Sequence, residues 1–445
     1  MRLAGTGVFL RHLAGQARFP FRPWEEIRRA QEARLARMVQ YACEHVPRYR
    51  ALRDRLGMRP EDVRSVEDLA AWPTLESNEV ARLGAALFSG GRQGSDWIGL
   101  RSGGTTGSPK RVYFEPRSFL ANLAYRERSR SIISARVGRR TGYREAVLFG
   151  HDGVVAQTEA AVSRFMWAPR FMRVERRFFA VHEGLDHTLA GLAKFRPHHV
   201  FGLGSFAARV FERHLEGRGE FPLPAAVSYT SDEMPAEARR MIERDLGVPV
   251  FSLYNAVEGF NLGFECGEGE GLHMNVDLYP FRIVDDEGRT LPPGETGSIV
   301  LSNVVTRGTV FLNYRIGDRG RLLTEPCPCG RNLPRLAGFD GRDDEWALLA
   351  DGSRMHSQDL RVLTVSEIPL WQFRIVQEAV DHFRVKIVLA EEVDRAKTVE
   401  GIERRMREGL GPGVRVEVAF VEELPRTSGG KSRTFESRLG AASVG

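Results

Sequence analysis

Residues 199–256 determine the fold class and read HVFGLGSFAARVFERHLEGRGEFPLPAAVSYTSDEMPAEARRMIERDLGVPVFSLYNA. Three short apolar runs in this stretch have the length and composition of buried strands: 199–203, 226–229 and 248–254. Between them, two segments carry apolar side chains at helical spacing: 205–216 and 235–246. Strands that alternate with helices predict a parallel sheet covered by helices.

The same alternation extends toward the N-terminus. Residues 146–149 have the composition of a further strand, and residues 184–195 have the spacing of a further helix. Residues 24–56 carry apolar side chains at helical spacing, and residues 62–69 predict a short helix. The chain is therefore expected to form an α/β protein whose large N-terminal domain contains parallel sheets covered by helices.

Downstream of this region the pattern changes to short β-type runs separated by Gly, Pro and Asp turns. Four strands are predicted there: 281–284, 298–302, 310–314 and 319–323. A β-rich subdomain is therefore expected at about residues 262–340, within an N-terminal domain of residues 1–343.

A further change of pattern follows Gly341. Residues 371–377 and 383–389 predict a hairpin, residues 399–409 a helix, and residues 414–420 a strand. These elements are sufficient for a small α+β domain, which we assign to residues 344–445.

The overall composition is that of a folded protein. The chain has 445 residues, of which 42% are apolar and 27% are charged, and this excludes a collagen, a long disordered tail and a disulfide-stapled miniprotein. No window approaches the roughly 18 uninterrupted apolar residues of a membrane span. The apolar run near the N-terminus is too short for a secretory signal. We expect a cytoplasmic protein with no membrane partner.

The formal net charge of +6 is spread along the chain. A basic excess is compatible with nucleic acid, with anionic small molecules such as nucleotides, and with an ordinary mixed surface. Because no nucleic-acid-binding motif accompanies the charge, no nucleic-acid partner is expected. The oligomeric state stays open, with a homodimer among the expectations.

The segment LRSGGTTGSPK, residues 100–110, follows a predicted strand and has the features of a polyphosphate-binding loop. Glycines allow close approach of backbone N–H groups to an anion, hydroxyls add donors, and a lysine adds positive charge. These residues are Ser102, Gly103, Gly104, Thr105, Thr106, Gly107 and Lys110. The segment lacks the spacing of a Walker loop. The alternative interpretation is a hairpin turn made of small polar residues.

Four further stretches contain residues suited to nucleotide chemistry. They are the element with Tyr254, Asn255 and Glu258 after a predicted strand, the YRIGD element with Asp318, the GRDD element with Arg342, and the LPRTSGGK element with Lys431. A carboxylate at the end of a parallel strand lies where α/β proteins bind ligands. Taken singly, each stretch also fits an ordinary turn or surface loop.

Taken together in chain order, the five motifs resemble those of the adenylate-forming superfamily, which includes acyl-CoA synthetases, adenylation domains and luciferases. Residues 35–50 and 72–75 are similar to elements of the phenylacetate–CoA ligase branch and its CapK-type relatives. The resemblance covers nearly the whole chain. It implies that the C-terminal domain is a small, mobile lid.

The resemblance also implies catalytic roles. The loop from Ser102 to Lys110 would hold the β- and γ-phosphates of ATP, and Arg342 would lie near them. Glu258 would bind Mg²⁺. Lys431 would bridge the substrate carboxylate and the α-phosphate, and Asp344 would mark the hinge of the lid.

The nucleoside would lie between the remaining motifs. By resemblance, Asp318 would accept the ribose hydroxyls and Tyr254 would flank the adenine. Asn255 stands beside it, where glycine is usual in the family. The adenine would also contact one turn: Ser231, Asp232 and Glu233.

The implied activity is that of an AMP-forming carboxylate ligase. It would activate a carboxylic acid, aromatic or hydrophobic by its branch, with ATP and Mg²⁺, and pass the acyl group to a thiol, most simply that of CoA. The sequence departs from the family at Ser108, where many members carry lysine, and at residues 351–360, which lack the usual proline-containing segment.

Three alternative functions stay open. The chain could be a nucleotidyl transferase that adenylylates a hydroxyl or phosphate, an adenylating enzyme with an acceptor other than CoA, or a non-catalytic nucleotide-binding protein. The intact Lys431 and Glu258 argue against the last of these.

Four residues predict a separate metal site: Cys266, His273, Cys327 and Cys329. Three thiolates and one imidazole form a closed ligand set suited to structural Zn²⁺. All four fall in the expected β-rich subdomain. The alternative interpretation is a group of reduced thiols with an unrelated histidine.

Overall fold

The computed structural model describes residues 2–101, 110–151, 153–338, 346–365, 368–389, 392–426 and 433–439. Across these ranges, no helix combines the length and the apolar character that crossing a membrane would require.

The described residues contain twelve α-helices. They are α1 (Arg2–Leu13), α2 (Trp24–His45), α3 (Pro47–Leu56), α4 (Glu79–Leu83), α5 (Pro116–Tyr125), α6 (Glu127–Val137), α7 (Val154–Phe165), α8 (Leu185–Phe195), α9 (Gly204–Leu215), α10 (Ala236–Asp245), α11 (Ser357–Val365) and α12 (Arg395–Leu410).

The same residues contain nineteen strands. They are β1 (Ile98–Arg101), β2 (Arg111–Phe114), β3 (Arg144–Leu148), β4 (Glu175–Phe179), β5 (His199–Leu203), β6 (Ala226–Thr230), β7 (Val250–Ala256), β8 (Phe260–Phe264), β9 (Leu272–Met274), β10 (Phe281–Val284), β11 (Gly297–Leu301), β12 (Tyr314–Leu323), β13 (Arg335–Ala337), β14 (Trp346–Leu348), β15 (Arg354–His356), β16 (Leu370–Ala379), β17 (His382–Leu389), β18 (Arg415–Phe420) and β19 (Phe435–Ser437).

One long sheet organises the large part of the molecule. Its strand order is β10-β11-β12-β13-β9-β8-β7-β6-β5-β3-β4. The strands from β4 to β7 are parallel, and every residue of β5 and β6 is buried. Such strands are apolar along their whole length because helices cover both faces. The predicted parallel sheet and the α/β fold class are confirmed.

The antiparallel half of the sheet begins at β7. One of the strand predictions for this half is wrong. Residues 310–314 and 319–323 were expected to be two strands, whereas β12 is a single strand that begins at Tyr314. Residues 310–312 are buried without belonging to a strand. Their apolar side chains fill the core, and burial of a loop produces the same composition as a strand.

The N-terminal helices differ from the prediction at two places. The helical segment expected over 24–56 is divided between α2 and α3, because Pro47 cannot continue the hydrogen bonding of the first helix. The α-helix expected over 62–69 is wrong. Only the short 3₁₀ turns Pro60–Asp62 and Glu67–Ala71 form there.

The C-terminal part forms its own sheet, in the order β18-β17-β16-β19. The predicted hairpin is confirmed by the antiparallel pairing of β16 with β17, and α12 covers the predicted helix. A separate apolar core includes Ile375, Phe383 and Ile402. The proposed boundary between residues 343 and 344 lies outside the described residues.

A buried ion pair fastens the N-terminal helices to the antiparallel half of the sheet. Arg128 on α6 donates to both carboxylate oxygens of Asp277, at 2.6 and 3.0 Å, and both residues are fully buried. Arg34 on α2 also donates to Asp277. Burial alone would raise the pKa of Asp277, but the two guanidinium groups outweigh burial and lower it.

We predict that Asp277→Asn lowers the free energy of unfolding by about 3–5 kcal/mol, because it leaves Arg128 buried without a counter-ion. Urea unfolding would measure the change. Because the pKa of Asp277 is lowered from 3.8, its contribution is present at neutral pH and is lost as the pH falls below that value. The matched control is Asp62→Asn, which removes the exposed Arg59–Asp62 pair and should cost less than about 1 kcal/mol. Equal losses in both variants would contradict the prediction.

Candidate active site

The expected phosphate loop joins two paired strands. β1 and β2 are antiparallel, with Arg101 opposite Arg111. Residues 102–109 lie outside the described residues, so the positions of Ser102, Gly103, Gly104, Thr105, Thr106 and Gly107 are not described. Lys110, the last residue of the expected loop, is described and marks where the loop returns to the sheet.

Lys110 contacts two residues from distant parts of the chain. Its Nζ donates to Tyr314 Oη at 2.8 Å and lies 3.6 Å from Glu258 Oε1. The hydroxyl of Tyr314 donates to the same oxygen of Glu258 at 3.0 Å. The structure therefore brings together the expected phosphate loop, the expected Mg²⁺ ligand and the first residue of the YRIGD element.

Glu258 is held in the tight connection between β7 and β8. Asn303 Nδ2 donates to its backbone oxygen at 2.6 Å, and only 5% of the residue is exposed. A buried carboxylate is costly unless it is paired. Burial, followed by the charge of Glu258, raises the pKa of Tyr314 well above 10, so this phenol stays protonated and can donate.

A second pair lies beside the first. Tyr254 Oη, on β7, donates to Asp318 Oδ2, on β12, at 2.7 Å. Three strands separate β7 from β12 in the order of the sheet, so the sheet must curl strongly for these side chains to meet. The structure thus places the two residues that the resemblance assigns to adenine and ribose within one hydrogen bond of each other.

The turn of residues 231–233 follows β6 and lies at the same edge of the parallel sheet. Ser231 has a left-handed φ of 77°. Asp232 accepts from Ser205 Oγ at 2.6 Å, and Glu233 lies 3.3 Å from Arg361 of the C-terminal part. Both carboxylates are therefore engaged by protein groups. Asn255, on β7, accepts from Asn261 Nδ2 at 3.0 Å.

Three further expected residues cannot be placed. Lys431, Arg342 and the hinge residue Asp344 lie outside the described residues. Their roles stay predictions.

The four residues of the expected metal site converge in the antiparallel half of the sheet. The ligand atoms of Cys266, His273, Cys327 and Cys329 lie within 4.8 Å of one another. Cys266 Sγ is 3.6 Å from Cys327 Sγ, and Cys329 Sγ is 3.3 Å from His273 Nε2. Tetrahedral Zn²⁺ with Zn–S bonds of about 2.3 Å separates neighbouring sulfurs by about 3.8 Å. The geometry therefore suits that ion.

The local backbone also suits a metal site. The amides of Glu268 and Arg331 each approach a cysteine sulfur two residues earlier, at 3.5 Å. Burial raises the pKa of Cys266 to about 12 and lowers the pKa of His273 to about 4. Neutral imidazole is the form that binds metal, and a buried thiolate requires a nearby cation.

Comparison with known proteins finds relatives that cover most of the chain. Residues 351–437 match the family described as the CapK C-terminal domain. A phenylacetate–coenzyme A ligase of Thermus thermophilus is 26% identical over 442 residues, which cover 92% of this chain and 96% of the relative. Protein CapK of Staphylococcus aureus is 22% identical over 339 residues, which cover 76% of this chain and 73% of CapK. The chain is therefore similar, over most of its length, to phenylacetate–coenzyme A ligases and to CapK.

A solved structure shares the fold. The crystal structure of 2-hydroxyisobutyryl-CoA ligase in its postadenylation state, with R3-HIB-AMP, superimposes with a TM-score of 0.71 at 21% identity, covering 93% of this chain and 90% of that chain. The superfamily resemblance expected from the five motifs is confirmed.

The sequence analysis gave no role to Tyr314. The residue was quoted in the YRIGD element without a role, yet its hydroxyl joins Lys110 to Glu258. A signal was available, because residues four apart in one strand lie on the same face, which puts Tyr314 on the face of Asp318. Two arginines at the C-terminal part, Arg361 and Arg426, were missed because their partners are more than a hundred residues away.

Proposed function

We propose that the protein is an AMP-forming acid–thiol ligase that acts through an acyl-adenylate. One observation carries the proposal: Lys110, Tyr314 and Glu258 meet beside the Tyr254–Asp318 pair, at the carboxyl ends of the parallel strands. Ligands of open α/β sheets bind at this edge. The relatives named phenylacetate–coenzyme A ligase support the reaction class.

In the first half-reaction, a carboxylate oxygen of the acid attacks the α-phosphorus of ATP. The new bond is the acyl–phosphate bond, and the bond to the departing pyrophosphate breaks. Two anions must approach each other, so positive charge near the phosphates is required. Lys110 supplies one such charge at the end of the phosphate loop, and Lys431 would supply another.

Mg²⁺ would be held by Glu258. Within the described part of the chain, the contacts of this carboxylate with Tyr314 and Lys110 both use Oε1, which makes the second oxygen the candidate ligand. Carboxylate oxygens are the ligands that Mg²⁺ prefers. When bound, the ion would offset negative charge on the phosphates. Tyr314 fixes the orientation of the carboxylate, and Asp318 is placed to accept a ribose hydroxyl.

In the second half-reaction, a thiol attacks the acyl carbonyl and AMP leaves with the electron pair of the acyl–oxygen bond. We take CoA as the thiol, because relatives that span most of the chain carry coenzyme A ligase in their names. We infer an aromatic or hydrophobic acid from the same relatives, since phenylacetate combines a carboxylate with an apolar ring.

Acid-dependent exchange of pyrophosphate into ATP tests this function. We expect exchange with at least one aromatic or hydrophobic acid, and AMP release on addition of CoA. Lys431→Ala should lower the exchange rate by about 10²–10³-fold, because one charge that stabilises the transition state is lost. The matched control is Lys397→Ala, an 83% exposed lysine on α12, which should leave the rate unchanged. No exchange with any acid of a broad panel would refute the proposal.

Removing the hydroxyl of Tyr314 tests the arrangement of the site. Tyr314→Phe keeps the ring in the core but removes the hydrogen bond to Glu258, so we expect kcat/KM for MgATP to fall by about 10–100-fold. Tyr143→Phe is the control, because Tyr143 is equally buried and lies at the start of β3. If both variants lost the same activity, the hydroxyl of Tyr314 would have no special role.

We also propose that the four-residue cluster in the antiparallel half binds one structural Zn²⁺. Support comes from its closed ligand set of three sulfurs and one nitrogen and from ligand separations close to those of a tetrahedral site. With all four positions filled by protein, the ion would join the loops after β8 and β12 and take no part in the reaction.

Metal analysis tests the zinc site. We expect about one zinc per chain after dialysis against a weak chelator, and loss of the metal together with a lower Tm for Cys327→Ser. The control is Cys43→Ser, a buried cysteine on α2 that is outside the cluster, which should keep its zinc. Full zinc content in Cys327→Ser would contradict the assignment.

A further inference from the structure

The turn of residues 231–233 contacts the C-terminal part as well as the candidate nucleotide site. Arg426 Nη1 donates to Ser205 Oγ at 2.8 Å, and that hydroxyl donates to Asp232 Oδ2 at 2.6 Å. The backbone amide of Ser205 also approaches Asp232, at 3.3 Å. Ser205, at the start of α9, therefore connects Arg426 to the turn.

A second contact comes from another part of the C-terminal sequence. Arg361, on α11, lies 3.3 Å from both carboxylate oxygens of Glu233. We call these five residues the clasp: Ser205, Asp232, Glu233, Arg361 and Arg426. Both carboxylates of the turn are thus engaged by arginines that belong to the C-terminal part, directly or through Ser205.

Apolar packing supports the clasp. Trp371 and Val388 of the C-terminal sheet, and Leu424, join the core that covers the parallel strands. The guanidinium of Arg426 stacks 5.3 Å from the ring centre of Phe206 on α9. The clasp therefore lies at the edge of a packed interface, where its charges are only partly screened by water.

The clasp is close to the nucleotide site. Tyr229 on β6 pairs with Ser252 on β7 in parallel, so the turn after β6 and Tyr254 lie at the same end of two neighbouring strands. Lys431 follows Arg426 by five residues, a span of at most about 17 Å. The position of Arg426 therefore limits how far Lys431 can lie from the turn.

We propose that Arg426 and Arg361 are positioning residues for the first half-reaction. By contacting the turn of residues 231–233, they would hold the C-terminal part in the arrangement that lets Lys431 act on the triphosphate. The contacts of the clasp would then break before the thiol binds. This inference rests on the proposed function. In this proposal the turn positions the C-terminal part, in addition to any contact that it makes with adenine.

The two half-reactions distinguish this role from a purely structural one. Arg426→Gln should slow acid-dependent pyrophosphate exchange by about tenfold, and Arg361→Gln, whose pair with Glu233 is more exposed to water, by up to about fivefold. Transfer of the acyl group from a synthetic acyl-adenylate to CoA should keep its rate in both variants. In a double-mutant cycle of Glu233→Gln and Arg361→Gln, the double variant should lose no more of the pyrophosphate-exchange rate than either single variant does. The matched control is Arg407→Gln, which breaks an ion pair within α12 and should change neither rate.

A second measurement does not depend on activity. Trypsin cleavage after Arg426 should be faster in Arg361→Gln than in the unaltered protein, because the clasp that shields Arg426 is weakened. The proposal would be overturned by any of three results: an unchanged rate of trypsin cleavage, additive losses of exchange rate in the double-mutant cycle, or an equal loss of rate in both half-reactions. If no acid supported exchange but cleavage accelerated as expected, the proposed function would fail and the clasp would stand as a contact between the two parts.

Discussion

The site depends on one buried negative charge. Glu258 sits in the turn between β7 and β8 with 5% of its surface exposed, and a carboxylate in such a place requires partners. Tyr314 and Lys110 provide them, and they come from strand β12 and from the end of the expected phosphate loop. Satisfying this charge therefore determines where three distant segments meet. The same requirement keeps Lys110, at the end of the expected phosphate loop, beside a carboxylate.

β7 connects the two halves of the sheet and explains why the site lies there. It pairs in parallel with β6 and antiparallel with β8, so the carboxyl ends of the parallel strands face the loops of the antiparallel half. Tyr254 and Glu258 lie at that junction, and Asp318 approaches from β12 because the sheet curls. The parallel strands alone would place Tyr254 at their carboxyl ends, but the facing side chains Tyr314 and Asp318 come from β12.

The local sequence pattern predicted the parallel strands β3, β5, β6 and β7 to within two residues at each end, most closely for β5 and β6, which are buried on both faces. It did not predict the parallel strand β4. It failed at residues 310–313, where a buried loop has the composition of a strand, and at residues 62–69, where charge and apolar spacing suggested more regular structure than forms. The motif residues Glu258 and Asp318 could be named from the sequence, and so could the four candidate zinc ligands. The partners of Tyr314, Arg361 and Arg426 could not, since nothing local to a residue specifies a contact more than a hundred positions away.

The contact between the two parts of the molecule combines apolar packing with a few ion pairs at its edge. Glu233 and Arg361 keep 53% and 32% of their side chains exposed, and pairs of this kind contribute about 1 kcal/mol or less. Weak ion pairs suit the proposed motion of the C-terminal part, because stronger ones would hold a single arrangement through both proposed half-reactions. The geometry of the two arginine contacts matters more here than their free energy, because it determines which face of the C-terminal part contacts the turn. Arg426 lies five residues before Lys431, so fixing its position limits where the lysine can go at little cost in mobility of the whole domain.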